Sequence, residues 1–289
     1  MISVLILTKN EAADLPGCLD SISWCNDIHI LDSYSEDATT SIALARGAKV
    51  AQRQFDGYAS QRNAGLQLPF RYEWILILDA DERLPESSYE MLVEAVKKDG
   101  NHINAFSLRR KDYWNNSWLK HAQLCPSYTR LLKKGKGTYI REINEVLLVE
   151  GPVKQLPVTI EHFPFSKGLY HWQKKHIIYA TMEAEHWLND TYVFSWQKAL
   201  FSSSFTERRF HLKGLFYQLP ARPFIKWCYM MLVKLAFLDG WNGIAYVGLQ
   251  TIYEQMIILK YRKLKRSKTI NQYSENTIKY PDTPDGSLQ

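Results

Sequence analysis

Short apolar runs alternate with polar, helix-periodic stretches through the first third of the chain. ISVLIL, residues 2–7, predicts a strand. EAADLPGCLDSIS (11–23) predicts a helix in which Pro16 is tolerated only near the first turn. DIHILD (27–32) predicts the next strand. SEDATTSIALARG (35–47) predicts a helix that Ser35 or Asp37 can cap and Gly47 can end. AKVAQ (48–52) is a short strand and YASQRNAGLQL (58–68) a helix. WILILD (74–79) has no polar alternation and predicts a strand buried on both faces. A helix over 86–100 and a strand over 104–110 complete the run. This order predicts an α/β fold, a mostly parallel sheet with helices on both faces. Ligands of such folds lie beyond the carboxyl ends of the strands, so the residues just after each strand matter most.

From about residue 110 the pattern loosens. Tyr113, Trp114, Trp118, Tyr128 and Tyr139 make an aromatic-rich region with basic residues between. From about 167 the chain turns helical. Residues 225–238 and 243–261 are apolar, but Lys234, Gln250, Glu254 and Gln255 interrupt them. Neither offers the roughly 18–20 clean apolar residues of a spanning helix, and both read as buried or interfacial helices.

A length of 289 residues, 46% of them hydrophobic, suits one large domain or one domain with an appendage. The net charge of +6 is uneven. The segment KYRKLKRSK (260–268) holds six basic residues and no acid, which suits phosphates of nucleic acid or of anionic lipid. Cys18, Cys25, Cys125 and Cys228 show no zinc spacing, so a reduced, cytosolic chain is expected. The start, MISVLILTKNE, reads as a strand rather than a signal peptide.

The strand ends carry the candidate chemistry. After the fourth strand comes DADE, with Asp79 and Asp81 flanking Ala80. Two carboxylates so spaced can hold one hard divalent cation together with substrate phosphates. The plainer alternative is an acidic turn paired with Arg83. After the first strand come Thr8, Asn10 and Glu11, where capping explains Asn10 but not the whole polar run. Asp32 ends the second strand. Ser35 and Asp37 both suit capping there, which leaves Asp32 for a nucleobase or ribose. Arg62, on the helix before DADE, suits a base carbonyl or a phosphate as readily as a solvated face.

Together these pieces resemble family 2 glycosyltransferases of the GT-A fold, and within them the bacterial branch acting on the lipopolysaccharide inner core. TKNE (8–11), DSYSEDAT (32–39), QRN (61–63) and LDADE (78–82) appear in order. TRLLKKGKG (129–137) and FLDGWNG (237–243) add to the resemblance. It implies a GT-A domain over residues 1–165 and a helical, membrane-associating region over 166–289 with a flexible tail after about 268. It implies inverting transfer of a hexose, glucose by expectation, from a UDP-sugar to a heptose. The donor set would be Thr8, Asn10, Glu11, Asp32, Ser33, Arg62, Asp79 and Ala80. Asp81, with Asp79 and His162 as further candidates, would hold Mg²⁺ or Mn²⁺. The general base would be Glu145, in REINEV, where Asn144 stands in place of the branch's His.

The implied partners are the UDP-sugar, a lipid-linked oligosaccharide and an anionic membrane surface, with no nucleic acid. The implied location is the inner face of the bacterial inner membrane, held peripherally. A polyprenyl-phosphate or other polysaccharide acceptor remains an alternative, as does a catalytically weak donor-binding protein. A phosphohydrolase using the D-x-D pair would need it after the first strand, where it is absent.

Overall fold

The computed structural model describes residues 1–123, 125–140, 145–189, 194–202 and 205–277. They divide into two compact units, Met1–Leu169 with Ala236–Gly243, and Tyr170–Leu235 with the chain from Ile244 on.

In the first unit, β1 (Ile2–Thr8), β2 (Ile28–Asp32), β3 (Lys49–Gln52) and β4 (Trp74–Asp79) are strands separated by α1 (Leu15–Ser21), α2 (Thr39–Ala45) and α3 (Tyr58–Leu66). Then follow β5 (Glu82–Arg83), α4 (Ser88–Asp99), β6 (Ala105–Trp114), β7 (Ser117–Trp118), β8 (Ser127–Lys133), β9 (Gly137–Ile140), β10 (Val146–Val149) and β11 (Val153–His162). The main sheet runs β3-β2-β1-β4-β8-β6-β11-β5, with β7 on β6. The β3-β2-β1-β4 half is parallel, and β8 joins β4 to β6 antiparallel. β4 is buried along its apolar length, with Leu76, Ile77 and Leu78 fully enclosed between the two faces' cores.

The first two helices are shorter than their sequences predict. The stretch before α1 is a turn closed by Asp14 and Leu15 N–H on Glu11 C=O; Ala12 N–H is spent on Asp37, and Pro16, which has no N–H, sits in the first turn of the helix. The stretch before α2 is spent on the β2 loop, where Ser35 donates to Asp32 rather than capping; Asp37 accepts from Thr39 N–H at 3.0 Å. The strand expected over 104–110 runs on to Trp114, where it turns back into β7.

In the second unit α5 (Gly168–Leu188), α6 (Trp196–Phe201), α7 (Phe205–Gln218) and α8 (Arg222–Cys228) precede a π-helical turn, and α9 (Gly240–Thr277) is the last helix. It continues through the region where the sequence reading begins a flexible tail. Ala180, Ala184, Tyr217 and Ile257 form a small core. Arg222 is buried among Trp187, Phe216 and Tyr217 and is paired with Glu254 at 3.0 Å. No helix among the described residues is long and apolar enough to cross a membrane.

Candidate active site

Parallel register aligns the carboxyl ends of β1, β2 and β4: Thr8 pairs with Asp32, and Leu7 with Asp79. Three side-chain groups gather on that rim.

The first joins the β1 and β2 loops. Asp32, fully buried, accepts from Thr8 Oγ1 (2.8 Å), from Ser35 N–H (2.8 Å) and Oγ (2.5 Å), and from Gln52 (3.3 Å). These donors outweigh the effect of burial and hold its carboxyl below the usual range. The expectation that capping leaves Asp32 unengaged is therefore corrected: its carboxylate organises the loop. Asn10, in the left-handed region at φ 55°, accepts from Glu36 N–H through Oδ1 (2.8 Å), while its own N–H donates to Ser35 Oγ (2.8 Å). Ser33 Oγ accepts from Gln61 at 3.0 Å. Glu11 meets Lys167 at 2.5 Å, and its Oε2 is buried without a hydrogen-bond partner. Burial, opposed by Lys167, raises the Glu11 carboxyl to about 7.

The second group surrounds Asp79. Arg62, from α3, donates to Asp79 Oδ1 (2.9 Å) and Glu145 Oε1 (2.8 Å). Arg130, one residue beyond the last β8–β4 register pair, donates to Asp79 Oδ2 (3.1 Å) and Glu82 Oε1 (2.5 Å). Burial favours a neutral Asp79, but the two guanidinium groups outweigh it and hold the carboxyl far below its ordinary range. Burial lifts Glu82 despite Arg130. Both oxygens of Asp79 thus serve arginines. Arg62 Nη1 is buried without a hydrogen-bond partner, a donor suited to an incoming anion. The three residues of QRN divide their contacts. Gln61 bonds Ser33, Arg62 holds the acids, and Asn63 meets the backbone of Tyr139 through two bonds (2.9 and 2.7 Å). Asn144 lies outside the described residues.

The third group is made by strand register. Parallel β6–β11 pairing aligns Asp112 with His162, and antiparallel β5–β11 pairing aligns Glu82 with His162. His162 Nδ1 lies 2.5 Å from Asp112, and Nε2 lies 3.3 Å from Asp81. Burial would favour neutral imidazole, but Asp81 and Asp112 raise its pKa to about 9. A carboxylate on the far ring nitrogen is the support that orients metal-binding histidines. Asp81 and His162 therefore fit a hard cation, which would take the place of the imidazole proton. Among the described residues no group of three or more His, Cys, Asp or Glu is arranged to hold a metal ion. Ala80, buried, spaces the two aspartates.

Sequence reasoning assigned no role to Arg130, Glu82, Asp112 or Lys167. Arg130 and Glu82 stand inside the TRLLKKGKG and LDADE motifs, but only the strand order brings them together. Asp112 carried no signal, because its role depends on β11.

The glycosyl transferase family 2 model matches residues 3–150, which include all three groups apart from His162 and Lys167. The chain belongs to glycosyltransferase family 2. Its fold is the mixed α/β architecture of GT-A proteins. It is 27% identical over 159 residues to a lipopolysaccharide core biosynthesis glycosyltransferase of Rhizobium meliloti, covering 53% of this chain and 58% of that protein. An uncharacterized glycosyltransferase of Rickettsia bellii is 38% identical over 84 residues, 29% of this chain and 28% of that one. The matches thus span under two thirds of these relatives. The solved structure of a Pyrobaculum calidifontis mannosyltransferase with GDP-Man and Mn²⁺ superposes with TM-score 0.51 at 15% identity, covering 90% of this chain and 86% of that one. That likeness is one of fold.

Proposed function

We propose that this family 2 enzyme moves a hexose, with inversion, from a UDP-sugar to a saccharide carried on lipid, the inner-core heptose of lipopolysaccharide being the first candidate. The observation that carries the reading is the pairing on one rim of an arginine-anchored Asp79 with the Asp81–His162–Asp112 relay. In this reading Thr8, Asn10, Glu11, Asp32 and Ser33 shape the nucleoside pocket. The buried Glu11 oxygen without a partner suits a base N–H. Asp81 and His162 would hold Mg²⁺ or Mn²⁺, which would supply charge neutralisation for the diphosphate. Arg62 adds its unpaired N–H to the same charge.

Inversion needs one displacement. The acceptor oxygen bonds the anomeric carbon as the bond to diphosphate breaks, and a carboxylate takes the hydroxyl proton. Glu145, held by Arg62 at 2.8 Å within this cluster, is assigned that proton. A polyprenyl-phosphate acceptor is the second candidate.

Exposed Phe224, Leu232 and Val233, together with the basic 260–268 segment, support docking on an anionic bilayer. Such docking supports a cytoplasmic place on the inner face of the inner membrane.

Thermal stabilisation by UDP-glucose, UDP-N-acetylglucosamine, UDP-galactose and GDP-mannose, with and without Mn²⁺, tests the donor reading. A UDP-sugar should stabilise the wild type in a Mn²⁺-dependent way, and Asp81→Asn should lose that dependence. Stabilisation by no nucleotide sugar, or unchanged metal dependence in the variant, would sink it. Glu145→Gln should keep the stabilisation and lose transfer.

A further inference from the structure

Beside the Asp81–His162 pair lies a cleft of about 480 Å³ that the donor reading does not use. Arg83, Trp114, Asn115, Asn116, Phe163 and Ser166 line it. Two chain neighbours tie it to the cation seat. Arg83 follows Asp81 by two residues, and Phe163 follows His162 and donates its N–H to Asp81 C=O at 2.9 Å.

The walls are stacked aromatic pairs. Trp114 lies on Phe165 with centroids 4.4 Å apart and planes at 17°, and Tyr113 lies on Phe163 at 5.4 Å and 23°. Between them β6 turns into β7 through Asn115 and Asn116, both in the left-handed region at φ 46° and 57°. Two successive residues with positive φ make the tight hairpin turn that asparagine tolerates. The turn is held from outside. Asn242 donates to Trp114 C=O and accepts from Asn115, each at 3.2 Å. Asp239 accepts from His121 N–H (2.8 Å) and Ala122 N–H (2.7 Å). The FLDGWNG segment, to which the donor reading gives no role, thereby fixes one wall of this cleft.

The chemistry of the lining is specific. Aromatic side chains with flanking amides suit the apolar surface and hydroxyl edge of a sugar ring. Arg83 adds a cation. Its guanidinium lies over the Phe163 ring at 4.2 Å, and its ion pair with Asp14 is long, at 3.9 Å. A guanidinium stacked on an aromatic face keeps its N–H fork for a planar or phosphate anion.

We propose that this cleft is the acceptor subsite and that it takes a saccharide bearing an anionic group, phosphate or carboxylate, which Arg83 binds. The proposal rests on the donor reading for its place in the reaction. An acceptor hydroxyl must stand within bonding reach of the anomeric carbon, and the cleft is lined by Arg83 and Phe163, the close chain neighbours of Asp81 and His162.

Saturation-transfer NMR on the full chain, without nucleotide, tests it with mannose 6-phosphate, glucuronic acid, methyl mannoside and inorganic phosphate. At least one anionic sugar should bind tenfold or more tightly than methyl mannoside and inorganic phosphate. Arg83→Gln should erase that preference, and Arg83→Lys should restore part of it. Asn116→Gly, which keeps the turn, should weaken all sugars alike. The stronger of phosphate and carboxylate names the acceptor's acid. The proposal is overturned if Arg83→Gln binds the anionic sugars as the wild type does. Wild-type affinity no greater for anionic sugars than for methyl mannoside or inorganic phosphate also overturns it. UDP-sugar stabilisation of the same samples separates the two readings: its loss in wild type strikes the donor site, whereas sugar binding is read without nucleotide.

Discussion

At the residue scale, the site is a set of charges that burial makes expensive and pairing makes tolerable. Arg130 is the clearest case. It is buried and holds both Glu82 and Asp79. Removing it leaves the buried Glu82 carboxylate without its cation, while Asp79 keeps Arg62, and breaking such a buried pair costs about 3–5 kcal/mol. Arg130→Met should therefore lower the urea midpoint sharply, whereas Arg83→Gln should leave it nearly unchanged. Glu11 should make donor binding depend on pH. Its carboxyl titrates at about 7 because burial disfavours the charge. If the carboxylate accepts a base N–H, UDP affinity is full above pH 7 and falls about tenfold per unit below it. Affinity falls in that direction because the ionised form, which binds, is the one lost as pH drops. Titration calorimetry from pH 8 to 5.5 should show this slope in the wild type and a flatter one in Glu11→Gln. Equal slopes would remove Glu11 from the nucleoside pocket. The sequence marked Glu11, Asp32, Arg62, Asp79 and Asp81 as polar residues on a rim. It did not show that Asp32 is consumed by its own loop, because four donors from three elements converge on it only after folding.

At the element scale, close packing and buried bonds hold the strand ends in place. Asp27, just before β2, accepts from Ser3 (2.6 Å), Lys49 (2.7 Å) and Arg71 N–H (2.8 Å) and meets His29 at 3.0 Å. Burial pushes its carboxyl up, but these donors outweigh it and hold it well below the usual range. Its contribution to stability is therefore present above about pH 4, the unfolded value, and is lost as pH falls through the lower folded value. Asp27→Asn should be less stable at neutral pH and should lose less stability between pH 4 and 2, measured by urea unfolding. The first turn of α9, where Gly243 packs on the short segment before it, carries a second test. A Cβ on Gly243 would stand 2.0 Å from Ala236 C=O and 2.8 Å from Asp239 Cβ. Gly243→Ala should loosen the clamp on residues 121 and 122 and speed their amide hydrogen exchange while β1 and β4 exchange as before. Helix starts were the least legible elements. The residues before α1 and α2 read as helical, but their backbone groups are spent on loops that bind one another.

At the scale of the whole molecule, the first unit carries the clustered charges of the candidate site and the second carries exposed apolar and basic surface. Lys263, Lys265 and Arg266 are exposed on α9. Each basic residue near an anionic bilayer contributes about 1 kcal/mol. Replacing all three by Gln should weaken binding to phosphatidylglycerol vesicles about a hundredfold, and high salt should do the same to the wild type. Vesicle binding insensitive to both would remove the basic segment from docking. The alternation of strands and helices, the buried β4 and the ordered motifs were all determined by the sequence itself. Hydrophobic period and turn chemistry are local, so they survive being read one segment at a time. What the tertiary structure alone decided is partnership. His162 reaches Asp112 and Asp81 through strand register, Arg130 reaches Asp79 through an antiparallel insertion between parallel strands, and residues 236–243 return to brace a hairpin far back in the chain. Such contacts join residues 50 to 128 positions apart. Their energies depend on burial and distance, which no local pattern of residues encodes.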